Sequence, residues 1–314
     1  MEPRSGITHA SATSADAAAA ARGGVNAADS QGKPTFVFVH GAWHGGWCFS
    51  RVSQLLAEKG YQSLLVDLPG HGMQALLPKA YTSKPQDIAG LATETSPLAS
   101  LSIDDSRNAV LAAVRGLVAA GSGPVILVGH SLGGVTIGAV AEAAPSLIRR
   151  LVYLTAFVPI KLPNALQYLL AEPNFATSQL PQLLVADPAA VAAVRLNFDS
   201  ADPSYVAAAK SCFYHDVPDD RFAAIANLLT PDEPAGPPIL APVTLTRASW
   251  GTVPRAFIRC TADRCIPISG QDQMIAEADA FTPGNAFVQK TLNSSHSPFA
   301  SAPAELVSLL TSLA

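Results

Sequence analysis

The sequence predicts an α/β protein: a mostly parallel sheet flanked by helices, carrying one inserted helical segment. Three observations predict it. Short apolar, β-branched runs alternate with helix-length amphipathic stretches, a pattern that implies parallel pairing through right-handed crossovers. One of those runs, Pro124–Val128, leads directly into the glycine-rich turn Gly129-His130-Ser131-Leu132-Gly133-Gly134 and a helix of small residues. The alternation then stops at Pro159 and resumes only near Pro254.

The elements follow in order. Residues 1–33 are rich in Ala, Ser, Gly and Thr and lack large apolar side chains, the composition of a disordered N-terminal extension. Ala17–Ala21 is too short and too weakly apolar for a signal-peptide core, and Arg22 follows it rather than preceding it. Thr35–Val39 reads as the first strand, ending in the loop His40-Gly41-Ala42-Trp43-His44-Gly45-Gly46-Trp47. A helix is expected over 49–59, stopped by Gly60, then a strand over 62–66 that ends at the turn Asp67–Gly72. An irregular stretch reaches Leu101. Ser102 with Asp105 has the form of a capping box opening a helix to about Ala120. After the glycine-rich turn and its helix, Leu151–Leu154 is a strand. From 157 to 253 the chain is Pro-rich and helical in patches, at 166–171, 189–196, 204–211 and 220–229, with a strand expected only at 242–245. The alternation resumes with strand 256–260, helix 270–280, strand 286–291 and a last helix over 302–313. The expected organisation is therefore a core of residues 34–156 and 254–314 with a helical cap at 157–253.

The turn around Ser131 carries the chemistry. G-x-S-x-G alone occurs often by chance, but between a buried strand and a helix it reads as a nucleophile elbow. Glycines two before and two after the serine admit the sharp turn, and the hydroxyl stands at a helix N-terminus. A serine hydroxyl needs a base, and the base needs an acid to fix its tautomer. The order of an α/β-hydrolase is Ser, then Asp or Glu, then His. Only His215 and His296 follow Ser131, and His296 lies in the loop after the last strand, where a base belongs. Asp263 is the only acidic residue in the loop after strand 256–260. The expected catalytic residues are Ser131, Asp263 and His296, with the N–H groups of Ala42 and Leu132 as the oxyanion hole. His130 and His71 read as structural, Asp67 as a turn residue, and His215 as a polar or pocket-lining residue of the insertion.

Composition narrows the alternatives. A net charge of −4 without basic runs argues against a nucleic-acid partner. No apolar stretch reaches the ~18 residues of a membrane span. Cys48, Cys212, Cys260 and Cys265 have no zinc-ligand spacing and read as free thiols, which fits a cytoplasmic setting. The first loop lacks G-x-G-x-x-G, so no dinucleotide site is expected. His40 and His44, four apart on a loop, are not expected to bind metal.

With these residues placed, the chain from Thr35 to Ala314 resembles the plant methylesterase and hydroxynitrile lyase family of α/β-hydrolases, including its bacterial esterase members. The carrying motifs are Val39–Trp47, the elbow Gly129–Gly134, Phe213-Tyr214-His215-Asp216 and Cys260-Thr261-Ala262-Asp263. The resemblance implies a small helical cap over the site, no cofactor, and often a dimer. Lyases of the family carry a threonine after the first-loop histidine and a lysine after the triad histidine. Here those positions are Gly41 and Ser297. The absent cation leaves departing cyanide unstabilised, so ester hydrolysis outranks cyanohydrin cleavage.

The expected function is hydrolysis of small to medium apolar carboxylic esters through an acyl-enzyme. A substrate pocket is expected from Gly41, Trp43, Phe157, Leu162, Phe213, Trp250 and Phe299. The alternatives are a lyase or other non-hydrolytic enzyme on the same residues, and a ligand receptor with negligible turnover.

Overall fold

The structure, a computed structural model, describes residues 32–234 and 242–314. The expected N-terminal extension lies outside the described residues except for Gly32 and Lys33. One six-stranded sheet forms the core. Its strands are β1 (Phe36–Val39), β2 (Ser63–Val66), β3 (Val125–His130), β4 (Ile148–Leu154), β7 (Arg255–Cys260) and β8 (Val288–Leu292). They lie side by side in the order β2-β1-β3-β4-β7-β8, and every pair is parallel.

The central strands are buried because both sheet faces are covered. β1 and β3 are buried at every residue, which is why they read as unbroken apolar runs rather than alternating ones. Helices Ser50–Glu58 and Pro303–Thr311 pack against each other, as do Ile103–Leu117 and Gly133–Ala143. The Ser102–Asp105 capping box forms as expected: the Ser102 hydroxyl accepts the Asp105 N–H, and the Asp105 carboxylate accepts the Ser102 N–H.

The strand order places the site. From β1 the chain moves outward to β2, then returns to lay β3 on the other side of β1. At this switch point the loops after β1 and β3 leave a crevice at the carboxyl ends of the strands. The segments 40–47 and 129–134 therefore meet there.

The inserted segment departs from its expected form. Its helices Ala165–Leu169, Pro203–Phe213 and Asp219–Ala226 fall near the expected patches. The patch at 189–196 does not stay helical. A single turn, Pro188–Val191, ends at Ala192 in the left-handed region (φ 57°). The chain then forms β5 (Ala193–Arg195), antiparallel to β6 (Asp232–Pro234). Tertiary pairing wins here because Arg195 and Asp232, opposite each other in the ladder, form a buried two-pronged ion pair at 2.6 and 2.8 Å. The strand expected at 242–245 is irregular chain.

Candidate active site

Ser131 ends β3 in a left-handed backbone conformation, φ 51°. That costs a non-glycine residue of order 1–3 kcal/mol and persists only where the surroundings impose it. Three backbone bonds do so: the Ser131 N–H donates to Leu154 O (3.2 Å), and its carbonyl accepts the N–H groups of Gly134 (3.1 Å) and Phe157 (3.0 Å). The flanking glycines are needed for close approach. A Cβ at Gly129 would lie 2.7 Å from Gly133 O, and one at Gly133 would lie 2.6 Å from His40 O.

Asp263 and His296 come from the loops after β7 and β8 and meet at the carboxyl edge of the sheet, where the His296 ring lies 4.7 Å from that of His130, the residue before Ser131. His296 Nδ1 donates to Asp263 Oδ2 at 2.6 Å, with both side chains buried. Oδ2 also takes the Thr155 hydroxyl at 2.5 Å. Oδ1 takes the N–H groups of Cys265 (2.7 Å) and Ile266 (2.9 Å). Four donors therefore hold the carboxylate in one orientation, and the Nδ1 bond leaves Nε2 of His296 as the basic nitrogen. Burial disfavours the charged ring, but the Asp263 carboxylate outweighs it and raises the His296 pKa above its ordinary value.

The surrounding histidines are neutral. Burial lowers His44 to about 4, with repulsion from His296 adding to it, and it pushes His40 and His130 down as well. Each has a structural bond. His130 Nε2 donates to His296 O at 2.8 Å, and His40 Nδ1 donates to Gly41 O at 2.8 Å while its Nε2 accepts the Leu68 N–H. His130 is thus a support for the base loop, as the sequence suggests. Asp67 is a turn residue, its carboxylate accepting the Gly46 and Met73 N–H groups.

The first loop passes directly beside Ser131. Gly41, Ala42 and Leu132 line one narrow void. Trp43, itself left-handed (φ 61°), is clamped by the inserted segment. Its carbonyl accepts the Thr230 N–H (2.9 Å), its indole N–H donates to Val194 O (3.0 Å), and its backbone N–H faces Glu233 Oε2 (3.4 Å).

Residues 213–216 tie the insertion to the first loop and to the loops that carry Asp263 and His296. The Phe213 ring lies 5.8 Å from that of His296. The Tyr214 hydroxyl donates to His44 Nε2 at 2.5 Å. His215 Nε2 donates to Ala262 O at 2.9 Å, beside Asp263, and Asp216 Oδ2 accepts the Ser295 N–H at 2.8 Å, beside His296. Sequence reasoning did not reach these roles, nor that of Thr155. A polar residue directly after a strand end was the available signal for Thr155.

The expected pocket residues divide. Trp43 and Phe213 meet edge to face at 5.7 Å, and Phe198, not anticipated, joins both. Phe157 is bonded to Ser131 through its N–H, and its ring stacks on Phe175. Phe299 packs behind the site, 5.0 Å from the His130 ring and 5.3 Å from that of Phe49. Leu162 sits in a turn whose N–H groups converge on the Tyr168 hydroxyl, not on the Ser131 loop. Trp250 does not reach the site. It precedes β7, at the end of the strand opposite Asp263. Its indole donates to the Tyr153 hydroxyl (2.9 Å) and lies under the Arg255 guanidinium (4.1 Å). An apolar sheet face with a phenol to accept its N–H explains that placement.

Among the described residues no helix is long and apolar enough to cross a membrane. No group of three His, Cys, Asp or Glu side chains among them is arranged to hold a metal ion.

This fold, with a strained serine at the switch point, defines the class, and the chain belongs to the alpha/beta hydrolase family, whose profile matches residues 36–309. Methyl jasmonate esterase 1 of Vitis vinifera is 28% identical over 284 residues, covering 88% of this chain and 94% of that protein. A chloroplastic protein of Arabidopsis thaliana named as a methylesterase is 26% identical over 281 residues, 89% of this chain. The match spans 63% of that longer relative. The crystal structure of a pyrethroid hydrolase, PytH, superposes with a TM-score of 0.66 at 24% identity, covering 90% of this chain and 97% of that one. The likeness to plant methylesterases read from the motifs is thus borne out.

Proposed function

We propose that the protein is a carboxylic ester hydrolase working through an acyl-enzyme on small to medium apolar esters. The observation that carries this reading is the 2.6 Å bond from His296 Nδ1 to a fully bonded Asp263, at the same carboxyl edge of the sheet as the strained Ser131. The esterase names of the relatives support it.

In the proposed mechanism, Ser131 Oγ attacks the ester carbonyl carbon while His296 Nε2 takes its proton. The N–H groups of Ala42 and Leu132 receive the carbonyl oxygen as it becomes an oxyanion. His296 returns the proton to the leaving alkoxide oxygen, and the alcohol departs. A water, deprotonated by the same nitrogen, then attacks the acyl carbon and Ser131 leaves protonated. Asp263 stays ionised throughout and stabilises the imidazolium. The inserted segment acts as a cap, with Trp43, Phe198 and Phe213 forming an apolar wall beside His296. Gly41 lacks the hydroxyl, and Ser297 the cation, that the lyases of similar sequence carry at these positions.

The test is a burst of p-nitrophenol from p-nitrophenyl acetate, with labelling of Ser131 by a fluorophosphonate. Labelling without turnover on a panel of methyl, aryl and bulky-alcohol esters would favour a receptor. Faster cleavage of mandelonitrile than of p-nitrophenyl acetate would overturn the ester assignment.

A further inference from the structure

A second buried charge pair lies beside the proposed oxyanion hole. Glu233, on β6 of the inserted segment, is 4% exposed, and its Oε2 lies 2.9 Å from Nε2 of the equally buried His71. Nδ1 of His71 faces Pro69 O at 3.1 Å. Nδ1 thus faces a carbonyl, and Nε2 lies at ion-pair distance from a carboxylate oxygen without the alignment of a hydrogen bond. Glu233 also lines the void that Gly41, Ala42 and Leu132 line, and the same Oε2 faces the Trp43 N–H.

A carboxylate at this place is a liability for the proposed reaction. In the proposed reaction negative charge develops on the substrate oxygen at the Ala42 and Leu132 N–H groups, two residues that border this void, and buried charges are poorly screened. A bare carboxylate there opposes the transition state. We propose that His71 is a positioning residue that cancels the charge of Glu233 and holds it against the Ala42–Trp43 loop, so that this loop can receive an oxyanion. The inference rests on the ester-hydrolase reading.

The neighbours of His71 fit the role. Burial disfavours its charged form, but Glu233 and, more distantly, Asp67 outweigh burial and raise its pKa. The His40 ring, 5.2 Å away, is neutral because it is buried, and His44 is neutral for the same reason. Glu233 therefore has one cationic partner, and that partner belongs to the core while Glu233 belongs to the insertion.

The experiment is a two-residue cycle, run on whichever ester the wild-type enzyme turns over. His71→Gln leaves Glu233 uncompensated. It should lower kcat ~10- to 50-fold at pH 8 with little change in KM, because the loss falls on the transition state. His71→Gln with Glu233→Gln removes both charges and should regain most of that loss. A double variant as slow as the single one would overturn the proposal. Should His71→Gln not fold, wild type and the double variant decide. Wild type should lose kcat at high pH as His71 gives up its proton, and the double variant should lack that fall. A fall in both would sink the idea. A wild-type enzyme inactive on every ester would instead overturn the function reading.

Discussion

A methyl group built on Gly41 would lie 2.7 Å from Cβ of Ser131 and 2.9 Å from Nδ1 of His130. The first loop and the elbow are thus in contact through a missing side chain. Gly41→Ala should lower kcat by ~10²-fold or more, since a shift of ~1 Å at the reacting atoms is enough for that. Steady-state kinetics with p-nitrophenyl acetate checks it, and a change under threefold would contradict the contact. The same distance bears on the double variant Gly41→Thr with Ser297→Lys, which places at these positions the residues that lyases resembling this chain carry. Threonine has no room at 41, and Ser297 is fully buried, so this double variant should lose ester hydrolysis and gain no cyanide release from mandelonitrile.

Ser131→Ala and His296→Ala should each lower kcat by ~10⁴-fold or more, and the double variant should be no worse than either, because the two act as one unit. Multiplicative losses would mean separate roles.

Asp263→Asn should cost ~10⁴-fold in kcat, because the amide favours the wrong tautomer of His296. It also changes the pH dependence. His296 must be neutral to act as base, and its pKa is raised above the ordinary 6.5 by Asp263 against the effect of burial. Activity in wild type should therefore rise with pH along a limb lying above 6.5. With the carboxylate gone, burial loses its strongest opponent, the Cys265 thiol remaining beside the ring, and the residual limb should move to lower pH. A pH profile of kcat/KM for both proteins measures the shift, and an unmoved limb would assign it to another group.

Arg195 is fully buried, paired with Asp232 and donating to the carbonyls of Leu91 and Glu94 at 2.8 Å each. Arg195→Met leaves Asp232 buried and unpaired, at a cost of about 3–5 kcal/mol. Adding Asp232→Leu should recover much of it. Urea denaturation of the three proteins tests this, and a single variant within 1 kcal/mol of wild type (about a fivefold change in the folding equilibrium) would show that the pair contributes little.

The centre of the parallel core was readable because β1 and β3 are covered on both faces and so read as unbroken apolar runs. Ser131, Asp263 and His296 could be proposed from the sequence because chain order and strand-end position single them out. The inserted segment was less so. Residues 189–196 have helical spacing, yet an ion pair to a residue 37 positions away draws them into a strand. Trp250 looked like a pocket aromatic because it closes the insertion, although its place before strand 256–260 sets it at the end of the sheet away from Asp263. Thr155, Thr230 and Glu233 act across the chain, and no local spacing encodes that.

Residues 213–216 hold the His44 ring, the Ala262 carbonyl and the Ser295 N–H at once. A door hinged to swing this stretch outward would drop the acid and base loops as it opened, and the enzyme would be dismantled each time a substrate entered. Traffic to Ser131 must therefore pass through a gap that leaves this keystone seated, opened by rotation of bordering side chains or by the part of the insertion that precedes it. Selectivity then becomes a matter of which molecules can thread such an opening, as well as of which fit once inside.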